Sequence, residues 1–394
     1  MNKLATIASM PAVAGLAAFP AVASAAPTAP SGYTLQTFAT APPGATGPDD
    51  IAYAEGHVFV GWQNGVGTKG EPNSTTGQTA STLVEYDRAG NVVQSWQLTG
   101  KIDGLAADPE ADQVIATVNE DGNSSLYTVK TSGHSHGSAS DRSGRGVTHY
   151  TYSPAPDSAT SGGVFTGGGT DAVIVYRGQI ILSASNPIPA NATAAFRVRL
   201  DRHRDIARLF PTFADNAAAT DAVSGQSVTL ALTDPDSNAA VPESSPRFGG
   251  DFVLDSQGDQ QLIFADGLGR HASGLERLAL THGGTSAGVD DIRWADRTGG
   301  TLYVVDNKTD TIYSLTGPFS AGEAFAALDT VGTGSQQTSH TTELDTIDLQ
   351  TGALSPLVTG FTAIKGVIWA PGGAGQHGRG SEGHHGHHHG GPRH

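Results

Sequence analysis

Cysteine is absent from this 394-residue chain. Without it the protein can form neither disulfides nor thiolate metal sites, so the fold must rest on an ordinary apolar core. Basic residues are also scarce, with 22 Lys and Arg against 38 Asp and Glu and a formal net charge of -16. A surface of this sign repels phosphate backbones, which argues against nucleic acid as a partner.

Long apolar runs are missing after the N-terminus. Residues 1–25 combine Lys3, an apolar stretch and the small-residue sequence Ala23-Ser24-Ala25, a pattern typical of a cleaved secretory signal peptide. No later stretch approaches the roughly 18 apolar residues that a membrane helix needs. We therefore expect a secreted, extracellular protein without membrane insertion, divided into a signal peptide (1–25), a linker (26–32), one folded domain (33–371) and a disordered tail (372–394).

The chain is rich in glycine, with 52 residues, and only 15% of its residues are charged. This composition is typical of many short strands joined by turns. Six segments share one pattern, in which Asp, or once Lys, stands two positions before an apolar residue of a short strand. They are Asp49-Asp50-Ile51, Asp103-Gly104-Leu105, Asp171-Ala172-Val173, Asp251-Phe252-Val253, Asp290-Asp291-Ile292 and Lys365-Gly366-Val367. Repetition of this kind indicates stacked equivalent units.

Each of the first five segments is followed by a second apolar strand, for example Gln261-Leu262-Ile263-Phe264 after Asp251 and Thr301-Leu302-Tyr303-Val304 after Asp290. Third and fourth strands follow in most units. Four antiparallel strands repeated around an axis form a β-propeller. The sequence predicts an all-β fold, a single β-propeller of six four-stranded blades, with seven blades as the alternative.

The last predicted blade combines both ends of the chain. Its C-terminal strands are Glu343 to Leu349, Ala353 to Val358 and Gly366 to Ala370, and the N-terminal strand Tyr33 to Ala39 supplies the missing fourth member. Closing the ring in this way removes the exposed sheet edge of an open array.

The Asp-Gly-Leu sequence at Asp103 and the strand Leu302-Tyr303-Val304-Val305-Asp306 resemble NHL-type propellers and the related gluconolactonase (senescence marker protein) and streptogramin lyase propellers. The resemblance covers about residues 33 to 371. It implies a divalent metal in the central channel, held by carboxylate and amide side chains at the start of inner strands. Asp103 matches the aspartate ligand of that group most closely.

The recurring Asp has two interpretations. Each carboxylate can bond a nearby backbone N–H and fix the turn before its strand. Alternatively, the carboxylates converge on the channel, where such hard oxygen ligands suit Ca2+ or Mg2+. In the second case Asp103, Asp171 and Asp251 are the predicted metal ligands, Lys365 is an internal counter-charge, and no organic cofactor is expected.

Most of the long loops are expected on the same face as these residues, and long loops on a rigid scaffold commonly carry binding functions. The predicted channel face comprises the residues that begin inner strands and those that end second strands. They are Asp49, Asp103, Asp171, Asp251, Asp290, Lys365, Asn64, Asn186, Asp266 and Asp306. The candidates for catalysis are His271, as a general base, and Asp103.

The C-terminal tail is rich in glycine and histidine, with His384, His385, His387, His388 and His389 close together. Such a tract cannot build a core, and its neutral imidazoles are ligands for Zn2+, Cu2+ or Ni2+.

Two classes of function remain. The first is a monomeric secreted module that binds a small molecule, a glycan or a protein through its acidic, loop-rich face. The alternative is a metal-dependent hydrolase of the lactonase or lyase type, with the channel metal as Lewis acid. No complete catalytic set can be recognised in the sequence, which favours the binding module.

Overall fold

The computed structural model describes eight stretches of the chain, residues 26–131, 146–156, 160–161, 164–165, 169–187, 191–268, 274–333 and 342–372. These residues are almost entirely β-structure and contain no α-helix, only short 3-10 helices at Pro109–Ala111, Gln257–Asp259 and Asn307–Thr309. No helix among them is long and apolar enough to cross a membrane. The predicted signal peptide and nearly all of the predicted tail lie outside the described residues.

Three groups of four strands follow one another along the chain, each antiparallel and in simple chain order. The first group is β2 (Pro48–Ala54), β3 (His57–Trp62), β4 (Ala80–Tyr86) and β5 (Val92–Thr99). The second is β6 (Ile102–Asp108), β7 (Gln113–Val118), β8 (Ser125–Lys130) and β9 (Val147–Ser153). The third is β12 (Thr170–Tyr176), β13 (Gln179–Ala184), β14 (Thr193–Asp201) and β15 (Ile206–Ala214). A small hairpin, β10 (Thr160–Ser161) and β11 (Val164–Phe165), precedes the third group, and β9 pairs in parallel with β15.

The fourth group differs from the prediction by one strand. It contains β18 (Pro235–Ala240), β19 (Phe252–Ser256), β20 (Gln261–Ala265) and β21 (Glu276–Ala279), with the hairpin β16 (Ala218–Asp221) and β17 (Ser227–Thr229) added at the β21 edge. The prediction that Asp251 introduces an inner strand is wrong, because β19 is the second strand of this group. The true first strand, β18, consists only of small and polar residues and lacks the apolar signal that marks the other five.

The last two groups are interlocked. One contains β23 (Thr285–Trp294), β26 (Ala324–Val331), β27 (Glu343–Asp348) and β28 (Ala353–Thr359), with β22 (Thr281–His282) pairing with both β23 and β28. The other contains β29 (Ile364–Ala370), β24 (Thr301–Asp306), β25 (Thr311–Thr316) and β1 (Thr34–Thr40).

This interlocking corrects the predicted hairpin between the Asp290 strand and Thr301–Val304. β23 pairs with β26, whereas β24 pairs with β25 and β29. β27 and β28 were predicted in the blade of the chain ends but belong to the β23 group. The N-terminal strand β1 does share a sheet with the C-terminal strand β29, through β25 and β24. Thr28, in the predicted linker, bonds Thr359 at the edge of β28.

Six strands, one from each group, lie side by side in a closed ring. β2 contacts β6 and β29, β12 contacts β6 and β18, and β23 contacts β18 and β29. Apolar side chains fill the space between neighbouring sheets, as where Phe59 and Trp96 of the first group meet Leu105 and Val114 of the second. The arrangement is that of a β-propeller.

The ring strands approach one another closely at two glycines. A Cβ on Gly104 would lie 2.7 Å from the Asp171 carbonyl oxygen, and one on Gly366 would lie 2.6 Å from that of Asp49. A side chain at either position would push neighbouring backbones apart. Glycine thus permits the contact that brings the starts of these strands around a narrow channel.

Candidate functional site: the acidic mouth of the channel

One cavity lies where the six ring strands begin. It is open to solvent on one side and is lined mainly by charged side chains. The carboxyl groups are those of Asp49, Asp50, Asp103, Glu120, Asp171, Asp236, Asp290 and Asp291, and the cationic groups are those of Lys101, Arg293 and Lys365. Eight carboxyl groups therefore face three cations. We call this cavity the acidic mouth.

The structure brings together five of the six predicted ring residues, Asp49, Asp103, Asp171, Asp290 and Lys365. Asp251 does not line the acidic mouth, and its predicted place is taken by Asp236 at the start of β18.

The strand register explains this difference. Phe252 pairs with both Ala240 and Ala265, so Asp251 and Asp266 lie at the far end of the fourth group, away from Asp236. Burial, followed by the neighbouring carboxylate of Asp266, raises the pKa of Asp251 to about 6. Neither Asp251 nor Asp266 belongs with the residues of the acidic mouth.

Two aspartates of the acidic mouth hold the ring strands together. Asp50 accepts hydrogen bonds from the backbone N–H of Ile51 at 2.6 Å and of Leu105, on the next ring strand, at 2.5 Å. Asp291 accepts from the N–H of Ile292 at 2.7 Å and of Val367 on β29 at 2.6 Å. Asp50 and Asp291 each follow a repeated Asp, Asp49 and Asp290, by one position, so the backbone-bonding role predicted for the repeated Asp is carried here by the next residue.

Two lysines neutralise part of the remaining charge. Lys365 forms an ion pair with Asp290. Lys101 lies 2.7 Å from Asp103 and 2.5 Å from Glu120. Asp103 also accepts the backbone N–H of Glu120 at 3.2 Å, so its carboxylate is already well satisfied by the protein.

The other groups at the acidic mouth are less satisfied. Within the described part of the chain, the carboxylates of Asp49, Asp171 and Asp236 accept no hydrogen bond. The side chain of Asn238 is only 3% exposed, yet neither its amide oxygen nor its amide nitrogen has a hydrogen-bond partner there. Buried polar groups without partners are uncommon in folded proteins and require an explanation.

The electrostatics of the acidic mouth favour protonation or the uptake of a cation. Burial, followed by neighbouring carboxylates, raises the pKa values of Asp171 and Asp236 well above the usual range. Burial also raises the pKa of Asp290 to about 7 although Lys365 opposes the rise. For Lys365, burial alone would lower the pKa, but Asp290, Asp49 and Asp236 outweigh it and raise the value. Neighbouring buried carboxyl groups do not all ionise at once unless a positive charge lies among them.

Other predicted residues of the channel face have structural contacts. The Asn64 side-chain oxygen accepts the N–H of Thr46 at 3.1 Å, just before β2. Asp306 is buried and accepts the N–H groups of Thr362 and Ala363 at 2.9 and 3.0 Å, just before β29. Both side chains thus shape the segment that leads into a ring strand.

Asn186 is half-buried in the turn after β13. His271 and the tail residues His384, His385, His387, His388 and His389 lie outside the described residues.

The sequence interpretation missed Lys101, Glu120, Arg293, Asp236 and Asn238, although some of them carried a signal. Glu120 comes just after the second strand β7, in the kind of position that singled out Asn64 and Asp306. Asp236 precedes Ser237 and Asn238, which resembles the repeated pattern without its apolar residue. Lys101 stands two positions before Asp103, a spacing that places both side chains on one side of an extended segment.

Comparison with known proteins adds structural neighbours of low similarity. No protein-family model matches the chain, and neither does any curated protein sequence. A Bacteroides caccae protein of unknown function is 11% identical, with a TM-score of 0.42, covering 81% of this chain and 85% of that one. A 6-phosphogluconolactonase-like protein of Bacteroides uniformis is 12% identical, with a TM-score of 0.41, covering 81% and 87%. A streptogramin B lyase is 9% identical, with a TM-score of 0.31, covering 72% and 97%.

All three neighbours have low structural similarity to this chain, with TM-scores of 0.42 or below. At this level of similarity their activities say nothing about this chain, whose site must be interpreted from its own residues.

The acidic mouth offers the donor types that a hard divalent cation prefers, although no three of its acidic side chains lie within 4.8 Å of one another; among the described residues only His282, Glu343 and Asp345 do. Asp49, Asp171 and Asp236 offer carboxylate oxygens that accept no hydrogen bond from the described residues, and the amide oxygen of Asn238 is buried and unpartnered. Carboxylate and amide oxygens are the ligands that Ca2+ prefers, with water completing the shell. Of the predicted ligands Asp103, Asp171 and Asp251, only Asp171 belongs to this set, because Lys101 already bonds Asp103 and Asp251 lies elsewhere.

Proposed function

We propose that this chain is a secreted β-propeller of six four-stranded blades that binds a ligand at the acidic mouth. The ligand carries a positive charge. It is either a Ca2+ or Mg2+ ion or a cationic group of a small molecule, glycan or protein. The single observation that carries this proposal is the buried Asn238 amide without partners, which lines the acidic mouth together with unmatched carboxylates.

The surroundings of the acidic mouth support a binding role. The loop between β3 and β4 contacts the loop between β7 and β8 through two hydrogen bonds. The backbone N–H of Asp121 donates to the carbonyl oxygen of Thr68 at 3.1 Å, and the side-chain amide of Asn123 donates to the carbonyl oxygen of Lys69 at 3.2 Å. These loops follow second strands and so border the edge where the ring strands begin. Ordered loops beside a charged cavity provide a surface for a larger partner.

In the metal form of this proposal, Asp171, Asp236 and the amide oxygen of Asn238, on the neighbouring ring strands β12 and β18, bind Ca2+ or Mg2+. The ion would supply the charge that these carboxylates lack and an exposed position for a polar ligand. Lys101 and Lys365 occupy part of the cavity with their ion pairs. The metal site is therefore limited to the part of the cavity that contains no lysine.

Calorimetric titration of the full chain with Ca2+ and Mg2+ tests this form. We expect one Ca2+ equivalent for the wild type at pH 7.5 and at least a tenfold loss of affinity for Asp236→Asn, since one charged ligand is removed. Asp251→Asn is the matched control, because Asp251 lies at the far end of the same sheet, and it should leave the affinity unchanged. Equal binding by both variants, or absence of any saturable cation binding, would contradict the proposal.

One observation favours the alternative, a metal-dependent hydrolase of the lactonase type. The pKa of Asp290, raised to about 7 by burial, is suited to proton transfer near neutral pH. Hydrolysis of a panel of sugar lactones by the wild type, lost in Asp290→Asn and in metal-free protein, would establish this alternative. Cation binding without any lactone opening would leave the binding module as the function.

A further inference from the structure

We infer that the chain carries a second metal site, separate from the acidic mouth, in which His282, Glu343 and Asp345 bind a transition-metal ion of the Zn2+ class. His282 lies on β22, and the two acidic residues lie on β27. The His282 Nε2 atom is 3.5 Å from Glu343 Oε2 and 3.8 Å from Asp345 Oδ2. One ligand atom from each residue lies within 4.8 Å of the others.

The fold brings these residues together for an identifiable reason. Glu343 and Asp345 are two positions apart on β27, so their side chains leave the strand on the same face. β22 pairs with β23 and in parallel with β28, the neighbour of β27. The short strand β22 thereby carries His282 to the two carboxylates.

Asp345 provides an independent indication of a ligand. Its side chain is fully buried, and neither carboxylate oxygen has a hydrogen-bond partner within the described residues. Glu343 Oε2, which faces His282, also lacks a hydrogen bond there. An isolated buried carboxylate is costly unless a charge compensates it.

Among the described residues, no lysine or arginine pairs with Asp345. Burial, followed by the like charge of Glu343, raises the pKa of Asp345 to about 7. The acidic mouth differs in this respect, because two lysines there neutralise carboxylates. A divalent ion between His282 and the carboxylates would satisfy all three side chains.

The spacing and chemistry of the ligands indicate the type of ion. Zn2+ bonds of about 2.0–2.1 Å in a tetrahedral site place neighbouring ligand atoms about 3.3–3.4 Å apart, close to the separations observed from His282. An imidazole with two carboxylates suits Zn2+ or a related transition metal rather than Ca2+ or Mg2+, which prefer oxygen alone. Water completes the coordination.

Titration of the metal-free full chain with Zn2+ against a chromophoric chelator tests the inference. The tail histidines are the same in every variant, so any Zn2+ that they bind is common to all variants, and the informative quantity is the difference in stoichiometry. We expect the wild type to bind one more tight equivalent than Asp345→Asn or His282→Gln. His203→Gln is the matched control, because His203 lies on an exposed turn, and it should retain this equivalent.

Thermal unfolding gives a second readout that isolates the folded site. An ion that binds only the folded protein raises the unfolding temperature, by about 4 °C for a domain of this size at 100 times its Kd. Zn2+ that binds the folded and the unfolded chain with equal affinity produces no such shift. We expect the shift in the wild type and in His203→Gln only. Equal stoichiometry and equal shifts in the wild type and Asp345→Asn would overturn the inference. Because the two variants change different strands, failure of one to fold leaves the other to decide.

Discussion

Lys365 is predicted to be the principal internal counter-charge of the acidic mouth, and replacing it with methionine tests this role. The ammonium group pairs with Asp290 and also interacts with Asp49 and Asp236. Methionine keeps much of the length and apolar character of the side chain. The substitution therefore removes the charge with little change in packing.

The expected cost follows from the burial of the ion pair. The Asp290 side chain is 9% exposed and that of Lys365 is 33% exposed. Removing one partner of a buried ion pair typically destabilises a protein by about 3–5 kcal/mol. Since solvent screens part of the lysine, we expect about 2–3 kcal/mol for Lys365→Met at pH 8.

The cost should depend on pH in a defined direction. The pKa of Asp290 is about 7 in the folded protein, above the value of about 3.9 for an unfolded chain. A carboxyl group with a raised folded pKa stabilises the protein at low pH, and this contribution is lost as pH rises from about 4 through 7. Without Lys365 the folded pKa of Asp290 rises further. At pH 5 the group is protonated in the variant, so the cost of removing Lys365 should fall below about 1 kcal/mol.

Urea unfolding followed by fluorescence at pH 5 and pH 8, in the presence of a chelator, measures both values. Lys308→Met is the matched control, because Lys308 is exposed at the end of a 3-10 helix, and it should cost less than about 0.5 kcal/mol at either pH. Equal destabilisation by Lys365→Met at pH 5 and pH 8 would refute the account of the acidic mouth as a set of carboxylates short of positive charge.

Two further predictions concern the ring itself. Asp291→Ala should destabilise the protein by about 2–4 kcal/mol in chemical unfolding, because the buried N–H of Val367 and the hydroxyl of Ser237 lose their acceptor. A destabilisation below about 0.5 kcal/mol would contradict the role of Asp291 in joining the two strands. Gly366→Ala should cost about 1–3 kcal/mol, because its Cβ would lie 2.6 Å from a backbone oxygen. Gly372→Ala, where the nearest atom is 3.7 Å away, is its control, and equal midpoints for the two variants would show that the ring tolerates a side chain.

The sequence indicated the position of a side chain in the fold where a repeated spacing and a charged residue occur together. The repeated Asp or Lys before an apolar residue pointed to five residues that line one cavity, Asp49, Asp103, Asp171, Asp290 and Lys365, because one side-chain position recurs at the same end of most ring strands. It failed at Asp251, since a single amphipathic strand carries no information on whether it is first or second in its sheet. The small residues of β18 gave no competing signal.

The interlocked pairing of the last two groups could not be predicted from local pattern. β24 follows β23 with a short connection, which favours a hairpin, yet it pairs with β25 and β29. Which partner a buried strand selects depends on packing across the whole ring rather than on its own residues. The cluster of His282 with Glu343 and Asp345 depends on the same long-range pairing, and 61 positions separate His282 from Glu343 in the chain.

The most direct test of the central claim is to locate a bound cation. We propose soaking or growing crystals of the full chain with Tb3+, a hard trivalent substitute for Ca2+, and collecting anomalous diffraction at its absorption edge. We expect one strong peak within coordination distance of Asp171 and Asp236, with Asn238 beside it. Absence of a peak at the acidic mouth while the ion occupies other carboxylates of the protein would contradict the claim that this cavity holds a cation.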